Sequence, residues 1–474
     1  MAVRRNRCSQ LIAATLWTSI GVASPALPAT VRDEPARSAN PATITMTLAQ
    51  AIAFAREHHP SLRSALARVA AAAAETRVPR AQWRPRVTAA LQGLEATTNN
   101  TTATYVGVRG IDLSRIGGTP VASSGDWGPS ASMLAAVGAQ QELFDFGRIA
   151  AQAAVADVAY QVARHGADAE RLRLELIVKD AYYGVFAARA VLRAAEEAVQ
   201  RARVHRDMAA AEVKSGLHAP IDLTRAEADL ARFEVGRIRA SGSLHSAQTV
   251  LAAAVGSDAP LVDVIGEPPA LGEAPPLRAA LQRVARNDPA LQAARSRADL
   301  AVATARAVSF DAFPDLVVTA AVSGRAGTAQ PSSGSISDRY GPLPLVPNWD
   351  VGLVLRWPLY DPLVGPRHSA AEARADVARA DLSVIEQEES AAVQEVYVSL
   401  EVEQATLVGL ERAVEASHAN YAQAEARFKA GLGTSLELAD AENVRTDAEI
   451  QLAVGHFQLR RTRAALSRLI AEDL

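Results

Sequence analysis

The chain has 474 residues, 49% hydrophobic and 21% charged, with a formal net charge of −3 and one cysteine. Such mild acidity argues against a nucleic-acid partner, and the single cysteine, Cys8, sits at the extreme N-terminus, leaving no disulfide, thiolate metal site or Cys nucleophile beyond it. The nine histidines are scattered without a His-x-x-x-His pair, and there is no Gly-rich phosphate loop or nucleophile elbow, so no metal, cofactor or catalytic centre is expected.

At the N-terminus Arg4, Arg5 and Arg7 precede an apolar stretch from Leu11 to Val22, followed by small residues at Ala23, Ala26 and Ala29. That order is a secretory signal peptide, assigned to residues 1–29 with the cleavage site open. No later apolar run reaches the ~18 residues of a spanning helix. A mature protein that enters a membrane must therefore do so with strands.

The remainder is duplicated. The pair Pro60 and Pro85 recurs as Pro289 and Pro314, an offset of 229 residues that also relates Leu62 to Leu291, Ala65 to Ala294, Arg68 to Arg297 and Arg77 to Arg306. An offset of 215 relates Val178 to Val393, Tyr182 to Tyr397, Gly216 to Gly431, Ala226 to Ala441 and Leu251 to Leu466. Aligned turns and prolines in fixed register indicate two structural repeats rather than two or three unrelated domains.

In chain order the first repeat, 30–256, is expected to form a helix at 60–82 and strands at about 86–95 and 132–144. A loop at about 96–130 separates the strands; a long helix at 150–213 and a helix at 220–255 follow. A connecting strap spans 257–288. The second repeat, 289–474, has a helix at 289–311, strands at about 315–323 and 348–359 around a loop at about 324–347, a long helix at 365–429 and a helix at 435–470. Strand evidence is best where Trp349, Val351, Leu353, Leu355, Trp357 and Leu359 alternate with a mostly polar set. Long polar loops at strand tips fit the outer side of an outer-membrane barrel, with a soluble sandwich as the competing arrangement.

In the helices, Val393, Val396, Leu400, Glu403, Leu407, Leu410, Val414, Ser417, Tyr421, Ala424 and Phe428 recur in steps of three and four, all apolar but Glu403 and Ser417. Val178, Ala181, Val185, Ala188, Leu192, Ala195, Val199, Ala202, Arg206, Ala209 and Val213 do the same in the first repeat, where only Arg206 is polar. A sustained 3.5-residue period specifies coiled-coil packing. Each long helix would span about 96 Å, close to the sum of the two shorter helices of its repeat, as in a tube wall where continuous helices alternate with stacked pairs.

These residues resemble the TolC family of outer-membrane efflux proteins. The carrying segments are LFDFGR (143–148) and its partner PLYDP (358–362), VKDAYYGVF (178–186), and RFKAGLGTSLELADAE (427–442) with its weaker copy EVKSGLHAPIDLTRAE (212–227). Pro362 and Gly365 replace the Gly-Arg pair in the second handover, which leaves that helix start open. The resemblance implies an α+β membrane protein. Its homotrimer would form a 12-stranded barrel in outer-membrane lipid, continuous with a long periplasmic α-helical barrel. It also implies export with a periplasmic adaptor and an inner-membrane pump of the RND or ABC type. A periplasmic adaptor or a structural coiled coil is the alternative, although an adaptor carries one helical hairpin rather than two.

The resemblance further implies that the turns at Gly216 and Leu217 and at Gly431 and Leu432 dock the adaptor. It places Glu437, Asp440 and Phe428 at the periplasmic aperture. On local chemistry alone, both glycines read as left-handed helix C-caps, Glu437 as the partner of Thr434 in a capping box, and Phe428 as coiled-coil core. Asp222 matches Glu437 but Arg225 matches Asp440, so the acidic character belongs to the second turn.

Overall fold

Four segments of period 2 become one antiparallel sheet, and the segments of period 3.5 become two long helical hairpins. The computed structural model describes residues 43–97, 129–216, 219–266, 272–327 and 345–472. The signal peptide, Leu217 and most of both strand-tip loops lie outside these residues. The elements are β1 (Thr43–Met46), α1 (Leu48–His58), α2 (Pro60–Glu75), α3 (Arg77–Ala81), β2 (Arg86–Thr97), β3 (Pro129–Phe144), α4 (Arg148–Lys214), α5 (Pro220–Val255), β4 (Leu261–Val264), α6 (Leu277–Asn287), α7 (Pro289–Ser309), a 3-10 turn (Phe310–Ala312), β5 (Asp315–Gly327), β6 (Leu345–Arg356), α8 (Val364–Lys429) and α9 (Ser435–Ile470).

The four-stranded sheet runs β2-β3-β5-β6, every pair antiparallel. Its register puts Val87, Leu91, Met133, Val137, Val322, Trp349, Val351, Leu353 and Leu355 on one face, all exposed. The opposite face is mostly small or polar, with Thr88, Ala136, Gly138, Gln140, Thr319, Ala321, Ser323 and Gly352, and carries Leu134, Val317 and Val354 among them. An exposed apolar face backed by a small and polar one is the pattern of a barrel wall between lipid and water. Trp349 and Trp357 stand eight residues apart, about 27 Å along a strand. At the usual barrel tilt of ~35–45° that spans about 19–22 Å of height, within the ~25 Å apolar band. At the helical end of the sheet Phe144 meets Phe146 edge-to-face at 4.7 Å and Phe146 stacks on Phe313 at 6.2 Å. With Trp83, Trp357 and Tyr360, also exposed, they supply the aromatic belt expected at a membrane interface. β6 ends at Arg356 rather than at 359, because Pro358 has no N–H for the ladder and the chain turns there, Leu359 N donating to Trp357 O.

The LFDFGR segment is a built corner. Asp145 is buried and its two carboxylate oxygens accept from the N–H groups of Gly147 (3.0 Å) and Ile149 (2.5 Å), capping α4. Gly147 has φ +100°, which favours glycine, and a Cβ there would lie 3.3 Å from the Phe310 ring, which would have to shift slightly to admit it. In the second repeat Asp361 Oδ1 accepts from Leu363 N at 2.8 Å and α8 starts at Val364, so the altered handover keeps the capping carboxylate.

α4 and α8 have 67 and 66 residues, each about 100 Å long. The helical columns lie side by side in the order α8, α7 with α9, α4, α2 with α5. Matched repeat positions share their environments: Val178 and Val393 are fully buried, as are Leu251 and Leu466, and Val255 and Ile470. The Tyr182 hydroxyl donates to Ile265 O at 3.1 Å, and the Tyr397 hydroxyl donates to Pro275 O. Both tyrosines thus tie a long helix to the connecting segment between the repeats.

The repeat extends further than its prolines indicate. α1 and α6 stand 229 residues apart, and their buried residues correspond, Ala51 with Ala280 and Ala55 with Val284. The helix N-caps that follow are His59 and Asp288, at the same offset. The strap expected at 257–288 therefore holds β4, paired in parallel with β1, and α6, which belongs to the second repeat. The helix expected at 60–82 is interrupted at Thr76, whose hydroxyl donates back to Ala73 O, and resumes as α3.

Gly455 of α9 receives the side chains of Leu407 and Leu410 of α8; a Cβ at Gly455 would stand 2.7 Å from Leu410 Cδ1. Gly455→Ala should be close to neutral, because the gain in helix propensity of up to ~1 kcal/mol offsets a shift of one leucine methyl. Gly455→Val should cost about 1–3 kcal/mol by overpacking, part of which Leu410→Ala restores. Thermal unfolding of the three variants checks this, and equal loss in Ala and Val variants would count against the described packing.

Candidate functional site

The hairpin turns take their shape from helix termination. At the second turn α8 ends with Gly431 at φ +71°, its N–H donating to Phe428 O at 2.9 Å while Leu432 N donates to Arg427 O at 2.9 Å. That pair of bonds is a Schellman motif, and its left-handed residue favours glycine. At the first turn Gly216 has φ +77° and its N–H donates to Val213 O at 3.1 Å. A Cβ on either glycine would meet nothing within 4 Å, so backbone conformation rather than space selects them. Leu432 is 74% exposed, as are Leu436 and its repeat counterpart Ile221 to lesser extents, so aliphatic groups project at both turns.

Two contacts pin the second turn. Phe428, which the resemblance groups with an aperture, is 1% exposed and packs edge-to-face on His205 of α4 at 5.1 Å. Its place on the heptad stripe with Tyr421 and Ala424 is what buries it in its own subunit. Burial holds His205 below the usual imidazole range despite the nearby carboxylates of Asp229, Glu212 and Asp222, which favours the neutral ring that suits this contact. Beside it Ser435, buried, donates from its hydroxyl to Asp222 at 2.9 Å, joining the first turns of α5 and α9.

Glu437 and Asp440 are left outside this packing. Both are exposed, three residues apart on one face of α9. Thr434 caps α9 by accepting from Glu437 N at 3.2 Å. The Glu437 carboxylate leans toward Arg427, Oε2 to Nε 3.9 Å, rather than back to the cap. Only the threonine half of the capping box is therefore recorded at this turn, and the carboxylate is held at the surface. The first turn carries Asp222 in the pin and Arg225 exposed at the position of Asp440.

A charged link deeper in the hairpins has no counterpart in the sequence reading. Arg201 of α4 donates from Nε to both oxygens of Glu442 at 2.8 and 3.0 Å, and Thr446 adds a bond of 3.1 Å. Glu449 continues the network, accepting from Arg445 at 3.0 Å and meeting His418 at 2.7 Å. Burial raises the Glu442 carboxyl above its usual range, opposed by the hydrogen bond and charge of Arg201. The link joins the first repeat to the second across the α4–α9 contact. A usable signal was present: Glu442 is a carboxylate directly beside Ala441, a buried position of the repeat, where Glu227 of the first repeat stays exposed.

An exposed apolar sheet on two duplicated helical hairpins defines an outer-membrane channel subunit with a periplasmic helical extension. The chain belongs to the outer membrane efflux protein family, whose model matches residues 51–257 and 280–472. It is similar to Protein CyaE of Bordetella pertussis, 29% identical over 430 residues, covering 89% of this chain and 83% of that one. Its fold is that of the outer-membrane channel OprN (TM-score 0.70, 22% identity, 89% of each chain). It is also that of the outer membrane protein VceC from Vibrio cholerae (TM-score 0.69, 20% identity, 90% of this chain and 96% of that one). The protein is thus a transport component of the outer membrane, exporting solutes as a channel of a tripartite efflux system, in a family that acts with adaptor and inner-membrane pump proteins.

Arg201→Ala should leave Glu442 buried without its guanidinium and cost about 3–5 kcal/mol. The cost should depend on pH in a defined direction. The folded pKa of Glu442 lies above its unfolded value, so the native state binds the proton more tightly and gains stability as pH falls through the folded pKa. Removing Arg201 raises that pKa further, so the gap in thermal stability between variant and parent should narrow from pH 8 to pH 5. A gap that is constant or widens in acid would contradict the assigned link.

Proposed function

We propose that three copies of this chain close into one channel whose periplasmic mouth is lined by Glu437 and Asp440 and whose turns dock the adaptor. The number three comes from the family resemblance. Closure as such is supported by the edges of the subunit. β2 and β6 are the outer strands of the sheet, and unpaired backbone groups are not tolerated in lipid. The same two sides carry exposed aliphatic stripes: Val377, Val384 and Val398 on α8, at spacings of seven and fourteen, and Val235 and Ile238 on α5, three apart. The two edges differ, so copies join head to tail and form a ring. Val384→Asp with Val398→Asp should leave a folded subunit that fails to assemble, seen as monomer by chemical cross-linking or native mass spectrometry. A normal oligomer would remove α8 from the interface.

The observation that carries the aperture reading is that Glu437 and Asp440 stay exposed while the turn beside them is pinned by Phe428 and by the Ser435–Asp222 bond. Three copies would place six carboxylates around a narrow opening, attracting cations and repelling anions. The exposed Leu432, Leu436 and Ile221 give the adaptor an aliphatic surface at both turns. A pump of the RND or ABC type completes the assembly.

Glu437→Gln with Asp440→Asn keeps the shape and removes the charge. In planar bilayers the pair should lower cation selectivity and relieve block by multivalent cations. If the capping role of the segment were its whole purpose, both properties would match the parent, because Gln also completes a capping box. That result would sink the acidic mouth.

A further inference from the structure

At the helical end of the sheet the aromatic belt passes into charge that the subunit leaves unmatched. β2 is entered through Trp83 and Arg84. β6 leaves through Trp357, Leu359, Tyr360 and Leu363 toward Arg367 in the first turn of α8, and all of these side chains are exposed. Leu359 and Tyr360, at 80% and 87%, are more exposed than Trp349 on the lipid-facing side of the sheet. The apolar surface thus continues past the last residue of β6 and onto the α8 edge.

Neither Arg84 nor Arg367 has a side-chain hydrogen bond or ion pair among the described residues. Their neighbours do: Arg80 pairs with Asp157 at 2.7 Å, Arg356 with Asp315 at 2.6 Å, and Arg148 with Glu142. Arg86 stands on the other face of β2, opposite Gln140, and Arg77 begins α3, further from the sheet. Of the acidic groups nearby, Asp145 is buried in the cap of α4, Asp361 accepts from Leu363 N, and Asp311 lies on the 3-10 turn before β5, between the two edges. Arg84 precedes β2 by two residues, at most about 7 Å of chain, which matches a headgroup layer of about 5–7 Å. Arg367 is the fourth residue of α8, and helical side chains lean toward the helix N-terminus, here toward the membrane. β2 and β6 are the outer strands, so head-to-tail closure sets Trp83 and Arg84 of one copy beside Trp357, Tyr360 and Arg367 of the next.

We propose that this seam binds an anionic phospholipid, its phosphate held by Arg84 of one copy and Arg367 of the next and its acyl chains lying on the exposed apolar face of the sheet. The site rests on the ring closure proposed above. Two observations point to this occupant: the lipid-facing surface runs without a break into the seam, and the unmatched charge there is complementary to phosphate, which guanidinium groups suit. Arginine stems can lie on the aromatic and aliphatic surface while their heads reach the polar layer. A lipid held by two copies binds the closed ring and not the single subunit, so anionic lipid stabilises the assembly by mass action.

The test is native mass spectrometry of the delipidated, detergent-solubilised channel after incubation with palmitoyl-oleoyl phosphatidylglycerol or with the phosphatidylcholine of the same chains. The expected spectrum shows the oligomer with one phosphatidylglycerol per seam and several-fold fewer phosphatidylcholine adducts. Arg84→Gln and Arg367→Gln should each lower the apparent affinity for phosphatidylglycerol about fivefold, the size of one arginine at a charged membrane surface. Both side chains are exposed and without ion pairs among the described residues, so the variants keep the fold. Arg84→Lys with Arg367→Lys should retain the preference, because the charge remains. Arg239→Gln, exposed midway along α5, should bind like the parent. An intact oligomer that takes both lipids equally, or parental preference in both Gln variants, overturns the lipid site and leaves ring closure standing. A parent that is monomeric with and without lipid overturns closure and the seam site together.

Discussion

Backbone hydrogen bonding in lipid is the constraint on which the rest of this structure depends. A four-stranded sheet that faces hydrocarbon on one side has two outer strands whose N–H and C=O groups need partners, and hydrocarbon supplies none. The subunit is therefore unfinished by construction, and the unfinished sides continue below the membrane. α8 stands at one side and α2 with α5 at the other, in line with the two open edges of the sheet. Duplication solves the geometry economically, since one helix–strand–strand–hairpin unit used twice yields both a sheet with paired interior strands and a wall of alternating continuous and stacked helices.

The two repeats keep the same core and differ at their charges. Ala51, Ala55, Val178, Leu251 and Val255 have buried counterparts at Ala280, Val284, Val393, Leu466 and Ile470, so packing in the belt between barrel and hairpins is close to symmetric. Against that background Glu442 is buried on Arg201 while Glu227 is exposed, and the acidic pair of the second turn is replaced by Asp222 and Arg225 in the first. Divergence after duplication has thus gone into polar contacts between hairpins, where one buried ion pair changes coupling without disturbing the apolar stripe.

Much of this was legible in the sequence because periodicity records burial directly. The steps of three and four that mark Val393, Leu400 and Phe428 fall on the buried side of α8, and the alternation from Trp349 to Leu355 is an exposed apolar face. α1 and α6 were missed for a physical reason. Each has 11 residues and buries only two side chains, too few to establish a period. The strap also hid β4, whose four residues pair with a strand more than 200 positions away. At the turns, the glycines announced their conformation locally, whereas the Ser435–Asp222 and Arg201–Glu442 contacts join residues over 200 positions apart and leave no local pattern.

The length and continuity of α4 and α8 have a mechanical consequence. Neither contains a proline beyond its first turn, so each runs from the barrel to its turn as a stiff rod. A rod anchored at one end is a lever. A tilt of about 3° at the aromatic belt, over about 100 Å of helix, displaces the far end by about 5 Å. A side chain at the turns can thus move by more than its own width while every contact near the membrane shifts by less than a bond length, so large displacements of the turns require no repacking of the barrel.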